Sequence, residues 1–428
     1  MKHFSLLILV LFILCYSQGH GQTPVNSLQE LYQLADSTAF SLKIQKQELT
    51  VAKLTKQASY GNIFNPRLPI NASIIDNTEL PVNFIPAEVF GGAPGTFREV
   101  VFGQQYISTL TVTPQLDLIA PGRWGDVRMA EVNYEKVQVN GIITQRDIRN
   151  SLCSYYYTIL HLDAQRQLLE KNYSIADSIY RAVQAKAIEG LVRQSDVNEA
   201  QIFLLQQSNL LNNNQKQYES TLLQLENVIG RKVQVTGSAE STEIPSISKD
   251  SRELDLKRLE MLYAKSAWRA SKLEQLPVLS FVSSFAYQNN SNDRFFDSNQ
   301  RWINSNYIGL RLTWDFPTNV QKLTNVRNQK LKFNMASTQY EQALLSVKNK
   351  ELEQQLEWSR LEKELQSVSE IRLLEQANFG FALDQYNQGL IPLERLLQVQ
   401  LNKIQAEVNE HATKASLALQ TAIINNGL

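Results

Sequence analysis

The chain has 428 residues, of which 42 are basic and 42 acidic, so its formal net charge is zero and supplies no electrostatic footprint for nucleic acid. Four histidines and two cysteines stand apart from any metal-ligand spacing, and neither a phosphate-cradling glycine loop nor a nucleophile elbow occurs. No enzyme activity, cofactor or metal centre is therefore expected.

Residues 1–21 carry Lys2, continue as an apolar run from Phe4 to Leu14 and end in small and polar residues, the layout of a secretory signal; cleavage after Gly19 or Gly21 fits the small-residue rule, and Gly21 is favoured. Cys15 raises a lipid-anchored alternative, although Leu14 is bulkier than the small residue that normally precedes a lipid-attachment cysteine. Without Cys15, Cys153 is the only cysteine left in the mature chain, and it reads as a small buried apolar residue.

The mature chain divides into a first repeat over 22–230, a connector over 231–250 and a second repeat over 251–428. A helix is predicted over 27–60, followed by strand-like segments at 66–76 and 104–116 around a polar, glycine-rich loop. From Gly122 to about Glu189, apolar and small residues recur at alternating steps of three and four, including Val127, Ala130, Tyr134, Val137, Ile159, Leu162, Leu169, Ala176 and Val183. That is the seam of a coiled coil, and a helix of about 65 residues is about 100 Å long. Gly190-Leu191-Val192 forms a tip, after which Ser195 is placed as the cap of a return helix with Asp196 and Glu199 in its first turn. This helix stops at Gly230.

The second repeat restates the order. A helix over about 252–275 leads to strand segments at 277–288 and 304–316, then to a long helix over about 320–388, the tip Gly389-Leu390-Ile391, and a helix from Pro392 to about Asn425. The two tips lie 199 residues apart (389 less 190), and the same offset maps Val197 to Leu396, Gln201 to Gln400 and Gln206 to Gln405. So long a period indicates two homologous halves rather than an array of short repeats.

In the last strand segment Ile308, Leu310, Leu312, Trp314 and Phe316 share one face, expected to meet lipid, while Tyr307, Gly309, Arg311 and Thr313 share the other. Each segment has about the length that a tilted membrane-spanning strand needs. Four strands cannot close a barrel, and an open edge in lipid costs several kcal/mol per unpaired group by typical estimates; three copies would give about twelve strands. The competing expectation is a periplasmic coiled-coil scaffold or adaptor whose strands form a sandwich edge on the helices.

The duplicated order, with Asp117-Leu118-Ile119-Ala120-Pro121-Gly122-Arg123 and Tyr386-Asn387-Gln388-Gly389-Leu390-Ile391, resembles the TolC-type outer-membrane efflux proteins. The resemblance implies a mainly α fold with a transmembrane β-barrel portion: a homotrimer with a twelve-stranded barrel in the outer-membrane lipid and a twelve-helix periplasmic α-barrel. It implies an exit duct for a tripartite pump or a type I secretion machine, meeting a periplasmic adaptor and an inner-membrane transporter. Gly190, Leu191, Gly389 and Leu390 correspond to the family's adaptor-docking tips. Many members narrow the tunnel entrance with carboxylates at the positions that are Arg395 and Gln398 here, so that acidic ring does not transfer. Asp196 and Glu199 hold the equivalent places in the first copy, and Glu394 is positioned to pair with Arg395 of a neighbour.

Overall fold

The computed structural model describes residues 23–237, 252–316 and 320–426; the signal segment and most of the 231–250 connector lie outside them. Seven helices are found among the described residues: α1 (Leu28–Thr38), α2 (Phe40–Gly61), α3 (Pro121–Ile188), α4 (Gln194–Ile229), α5 (Arg252–Leu273), α6 (Val320–Asn387) and α7 (Leu393–Asn425). The strands are β1 (Thr23–Val25), β2 (Ile70–Asp76), β3 (Val82–Pro86), β4 (Phe97–Val101), β5 (Tyr106–Val112), β6 (Gln115–Ile119), β7 (Val233–Val235), β8 (Val278–Ser291) and β9 (Ile303–Thr313). The chain divides into two compact units, one made of residues up to Leu49, Val137–Lys257 and Tyr340 onward, the other of Thr50–Lys136 and Arg258–Gln339.

The first unit is helical. Ser27 caps α1 by accepting the Glu30 N–H at 3.2 Å, while the Glu30 carboxylate accepts the Asn26 N–H at 2.8 Å, so two otherwise orphaned donors are satisfied. The single helix expected over 27–60 is broken at Ala39, whose ψ of 124° is extended. Ala39 is itself buried in the core, so packing there overrides helix propensity. That core gathers Val25, Leu31, Leu152, Ile159, Leu225, Ile229 and Val233, and β1 and β7 pair in parallel across it. The connector therefore starts with a short strand in which Val233 and Val235 are buried and Gln234 is exposed.

The two long helices have 68 residues each, yet they bury different amounts of themselves. In α3 Leu162, Leu169, Ala176 and Val183 are buried at seven-residue steps, the seam of the coiled coil. In α6 only Leu361 and Ala382 are buried, while Leu331, Met335, Leu344, Leu352, Leu356, Leu373 and Leu374 are exposed. These six leucines and Met335 thus lack a cover within this one chain.

The second unit holds a curled sheet. β2 pairs with β5, β5 with β8 and β8 with β9, all antiparallel. β6 also pairs with β8, so β5 and β6 are two pieces of one broken strand. The break falls at Pro114, which cannot donate to a ladder. Its carbonyl is recaptured by Ser283, whose backbone N–H donates at 3.0 Å and whose hydroxyl donates at 3.1 Å. Close packing holds the helices of this unit together: a Cβ on Gly125 would stand 2.4 Å from Cβ of Ala270, so α3 and α5 meet there without room for a side chain.

Candidate functional site

Residues opposite one another in a ladder share a face, so the register assigns the two faces of the sheet. One face carries Leu279 opposite Leu312, Phe281 opposite Leu310, Ser283 opposite Ile308 and Tyr287 opposite Leu110, and continues through Val112 to Ile70. The other carries Asn71 opposite Thr111, Ser73 opposite Thr109, Ser280 opposite Arg311 and Ser284 opposite Tyr307. An apolar face and a hydroxyl- and amide-rich face on one antiparallel sheet are what a barrel wall between lipid and water requires. β2 and β9 are the two edges of the sheet, each paired on one side only.

Ile308, Leu310 and Leu312 are exposed on the apolar face. Trp314 and Phe316 are not part of the strand, because β9 ends at Thr313. The two rings instead pack edge to face with centroids 5.1 Å apart, and the Trp314 indole N–H donates to the Gln275 carbonyl at 3.0 Å. A tryptophan with an apolar body and a bonded polar tip suits a membrane boundary. At the other end of the strands stands a polar girdle. Asn77 donates from its backbone N–H to the Gln105 carbonyl at 2.8 Å, the Gln105 side chain donates to Asp76 at 3.2 Å, and the Gln105 N–H donates to Asn292 at 3.0 Å.

Asp117, at the start of the family-like signature, is buried at the lower end of the polar face. It accepts hydrogen bonds from Ser280 at 2.7 Å and Asn65 at 3.0 Å and faces Arg67 at 3.4 Å. Its place in the signature marks it; its partners Arg67, Asn65 and Ser280, which lie 50, 52 and 163 positions away, were not evident from the residues alone.

Both tips adopt the same backbone geometry in the first unit. Gly190 has φ 75° and Gly389 φ 76°, a left-handed conformation that a side chain opposes. The Gly190 N–H donates to the Ala187 carbonyl at 3.0 Å and the Leu191 N–H to Lys186 at 2.9 Å. In the second tip Gly389 donates to Tyr386 at 3.0 Å and Leu390 to Gln385 at 2.9 Å, so both arms end in a Schellman turn. Leu191 and Leu390 are each 69% exposed. The arms behind them pack together through Val183, Val197, Phe203, Ala382, Leu393, Leu396 and Leu397.

The starts of the return helices differ from expectation. α4 begins at Gln194 with Arg193 in the cap position, and Asp196 accepts the Arg193 N–H at 3.1 Å; Ser195 lies inside the first turn instead of capping it. In the second copy Pro392 is the cap, and Leu393 is the first helical residue. A carboxylate three residues in does the work in the first turn, and the fixed φ of proline sets up the second. Asp196 is half-buried, whereas Glu199, Glu394, Arg395 and Gln398 are exposed. Gln398 donates to Asn402 at 3.2 Å along its own helix. Burial and then the Asp196 carboxylate push the Tyr386 phenol above its ordinary value.

Behind the tips, Glu410 of α7 is surrounded by donors from two helices. Ser369 donates to it at 3.0 Å, Lys414 lies at 3.0 Å and Arg372 forms a further ion pair. Burial would raise the carboxyl, but Lys414, Ser369 and Arg372 outweigh it and hold it below the usual range. Among the described residues no group of three or more His, Cys, Asp or Glu side chains is arranged to hold a metal ion, and no helix is long and apolar enough to cross a membrane.

The fold is that of the outer-membrane channels with a helical barrel and a β-barrel portion. It matches the Campylobacter jejuni CmeC outer membrane channel at a TM-score of 0.73 with 14% identity, over 94% of this chain and 86% of that one. The Vibrio cholerae outer membrane protein VceC matches at 0.71 with 15% identity, over 94% and 96%. The Neisseria gonorrhoeae MtrE outer membrane channel matches at 0.72 with 14% identity, over 93% and 88%. No curated protein sequence matches the chain. Residues 93–231 match the family model described as outer membrane efflux protein.

Proposed function

We infer that the protein is the outer-membrane exit duct of a tripartite efflux pump or type I secretion system, assembled from three copies. The observation that carries this is the sheet: an apolar face, a polar face and two open edges. Because β2 and β9 flank an alternating antiparallel set, β9 of one copy can pair antiparallel with β2 of the next, and three copies close a ring of twelve strands without an edge. The uncovered leucines of α6 support the same assembly, since neighbouring copies supply the apolar cover that the single chain lacks. A periplasmic scaffold accounts for the helices but leaves the apolar face of the sheet in water.

The two tips are then the periplasmic docking points for an adaptor that works with an inner-membrane transporter. Leu191 and Leu390 are displayed by turns whose glycines contribute shape and no side chain. Glu394 and Arg395 are exposed beside the second tip, where pairing between neighbouring copies would hold the entrance closed. Such a pair is worth about 0–1 kcal/mol when solvated. Cell fractionation with gel electrophoresis tests the duct: recovery in the outer membrane as an oligomer that dissociates on heating is expected. Recovery as a soluble periplasmic protein would overturn it.

A further inference from the structure

The loop expected over 77–103 contains an ordered hairpin that the duct as described leaves without a role. β3 and β4 pair antiparallel, with Val82 opposite Val101, Phe84 opposite Glu99 and Pro86 opposite Phe97. These six residues share one face. Val82, Phe84, Phe97 and Val101 are all exposed on it, Phe84 and Phe97 by 64% and 66%. A two-stranded hairpin is marginal alone in water, and one with phenylalanines bare on a face needs a cover.

We propose that this face is a contact between subunits: it packs on the upper end of β9 in the neighbouring copy, at Arg301, Trp302 and Ile303. Three observations select that occupant. The hairpin joins β2, the edge strand that meets the neighbour's β9, to the adjacent β5, so one of its two legs rises beside the seam. The root of the hairpin is close in height, because Asp76 at the end of β2 is level with Tyr106 and hence with Ser291, while Ile303 is level with Gln288, three residues lower. The surfaces are complementary: Glu99 is the one charged residue on an otherwise apolar face, and Arg301, Trp302 and Ile303 are exposed and offer one cation beside two apolar groups.

Lipid is the competing cover, and the polar girdle argues against it. Asp76, Asn77 and Gln105 stand between the apolar band of the barrel and the hairpin, so acyl chains that cover Ile70 and Ile74 end before Val82 begins. Two subunits meeting there would seal the seam above the strands, where ladder hydrogen bonds no longer hold it.

The contact presupposes the ring closed through β2 and β9, so the test separates the two. In native outer membranes, Phe97→Cys with Trp302→Cys should give disulfide-linked dimers and trimers on oxidation, reversed by reductant. In parallel, Ser73→Cys is combined in turn with Ile303→Cys, Ser305→Cys and Tyr307→Cys, all on the polar face, to report the strand seam. Strand cross-links without hairpin cross-links would overturn the contact and leave the duct intact; absence of both would overturn both. A disulfide confined to one chain, or quenching of a fluorophore at Phe84→Cys by brominated lipids, would also overturn it. Charge exchange gives a second readout that does not depend on cysteines. Glu99→Arg and Arg301→Glu should each lower the temperature at which the trimer dissociates on a gel, and the double exchange should restore it. Equal behaviour of the single and double variants would count against the contact.

Discussion

Lys186, on the arm leading into the first tip, lies over the ring of Tyr386, on the arm leading into the second, with its ammonium 4.9 Å from the ring centroid. The two hairpins are thus joined by a cation–π contact one turn behind their reversals. Such contacts are worth about 0.5–1 kcal/mol at exposed sites. Lys186→Ala and Tyr386→Leu should therefore raise the open fraction of single channels in lipid bilayers by about two- to fivefold. Tyr386→Phe keeps the ring and should change little; an effect as large as that of Tyr386→Leu would assign the contact to the hydroxyl instead.

Leu191 and Leu390 protrude from their turns without a place in the core. Replacing either with Ser should leave trimer yield and thermal dissociation unchanged. Burial of one leucine stabilises a contact by about 1.5–3 kcal/mol, so adaptor binding should weaken about tenfold or more. Pull-down of the adaptor and susceptibility of a deletion strain complemented with each variant report this directly. A trimer that falls apart would show that these leucines hold the fold.

Glu410 links α7 to α6 through Ser369 and Arg372. Its carboxyl is held below the ordinary range, so the folded state binds its proton less readily than the unfolded chain does. The stability it contributes is present above the unfolded value, about 4.3, and is lost as pH falls through the lowered folded value. Glu410→Gln should cost about 1–3 kcal/mol at neutral pH by leaving Arg372 and Lys414 short of a partner. Thermal dissociation measured from pH 7 down to 3 should show a smaller acid-induced loss in the variant than in the parent.

At Gly125, α3 and α5 approach without room for a methyl group, since the added carbon would meet Ala270 side chain and backbone alike. Gly125→Ala should destabilise the fold by about 1–3 kcal/mol, visible as a lower yield of heat-dissociable trimer. At Gly141 the added carbon would meet only the side chain of Gln45, whose amide donates to the Val137 carbonyl at 2.9 Å. Rotation of that amide relieves the clash, so Gly141→Ala should cost less than Gly125→Ala.

Features written as periodicity were legible in the sequence. The seven-residue steps through Leu162, Leu169, Ala176 and Val183 appear in the structure as a buried seam, and the repeated Gly-Leu pairs as equivalent turns. What depends on residues distant in the chain was not legible. Ala39 breaks its helix because of a core assembled from Val25, Leu152 and Ile229, which no local pattern announces. The strand expected without interruption over 104–116 breaks at Pro114, and the repair of that break by Ser283 was not legible either. Ser195 looked like the better cap by residue type, yet the helix starts earlier because Asp196 reaches back to the Arg193 N–H. The β3–β4 hairpin was hidden by the glycines and prolines around it, which read as an irregular loop.

The bare leucines of α6 carry a genetic consequence. In the proposed trimer a helix of 68 residues with two buried in its own chain would be completed by its neighbours, so each copy would be structurally incomplete until all three are in place. A subunit that assembles normally but cannot open would then enter rings made largely of sound copies. With equal amounts of sound and defective chains, roughly one assembly in eight would contain sound copies alone. Tip variants that retain the α6 surface should accordingly be dominant over the parent allele, while variants that lose that surface should be recessive.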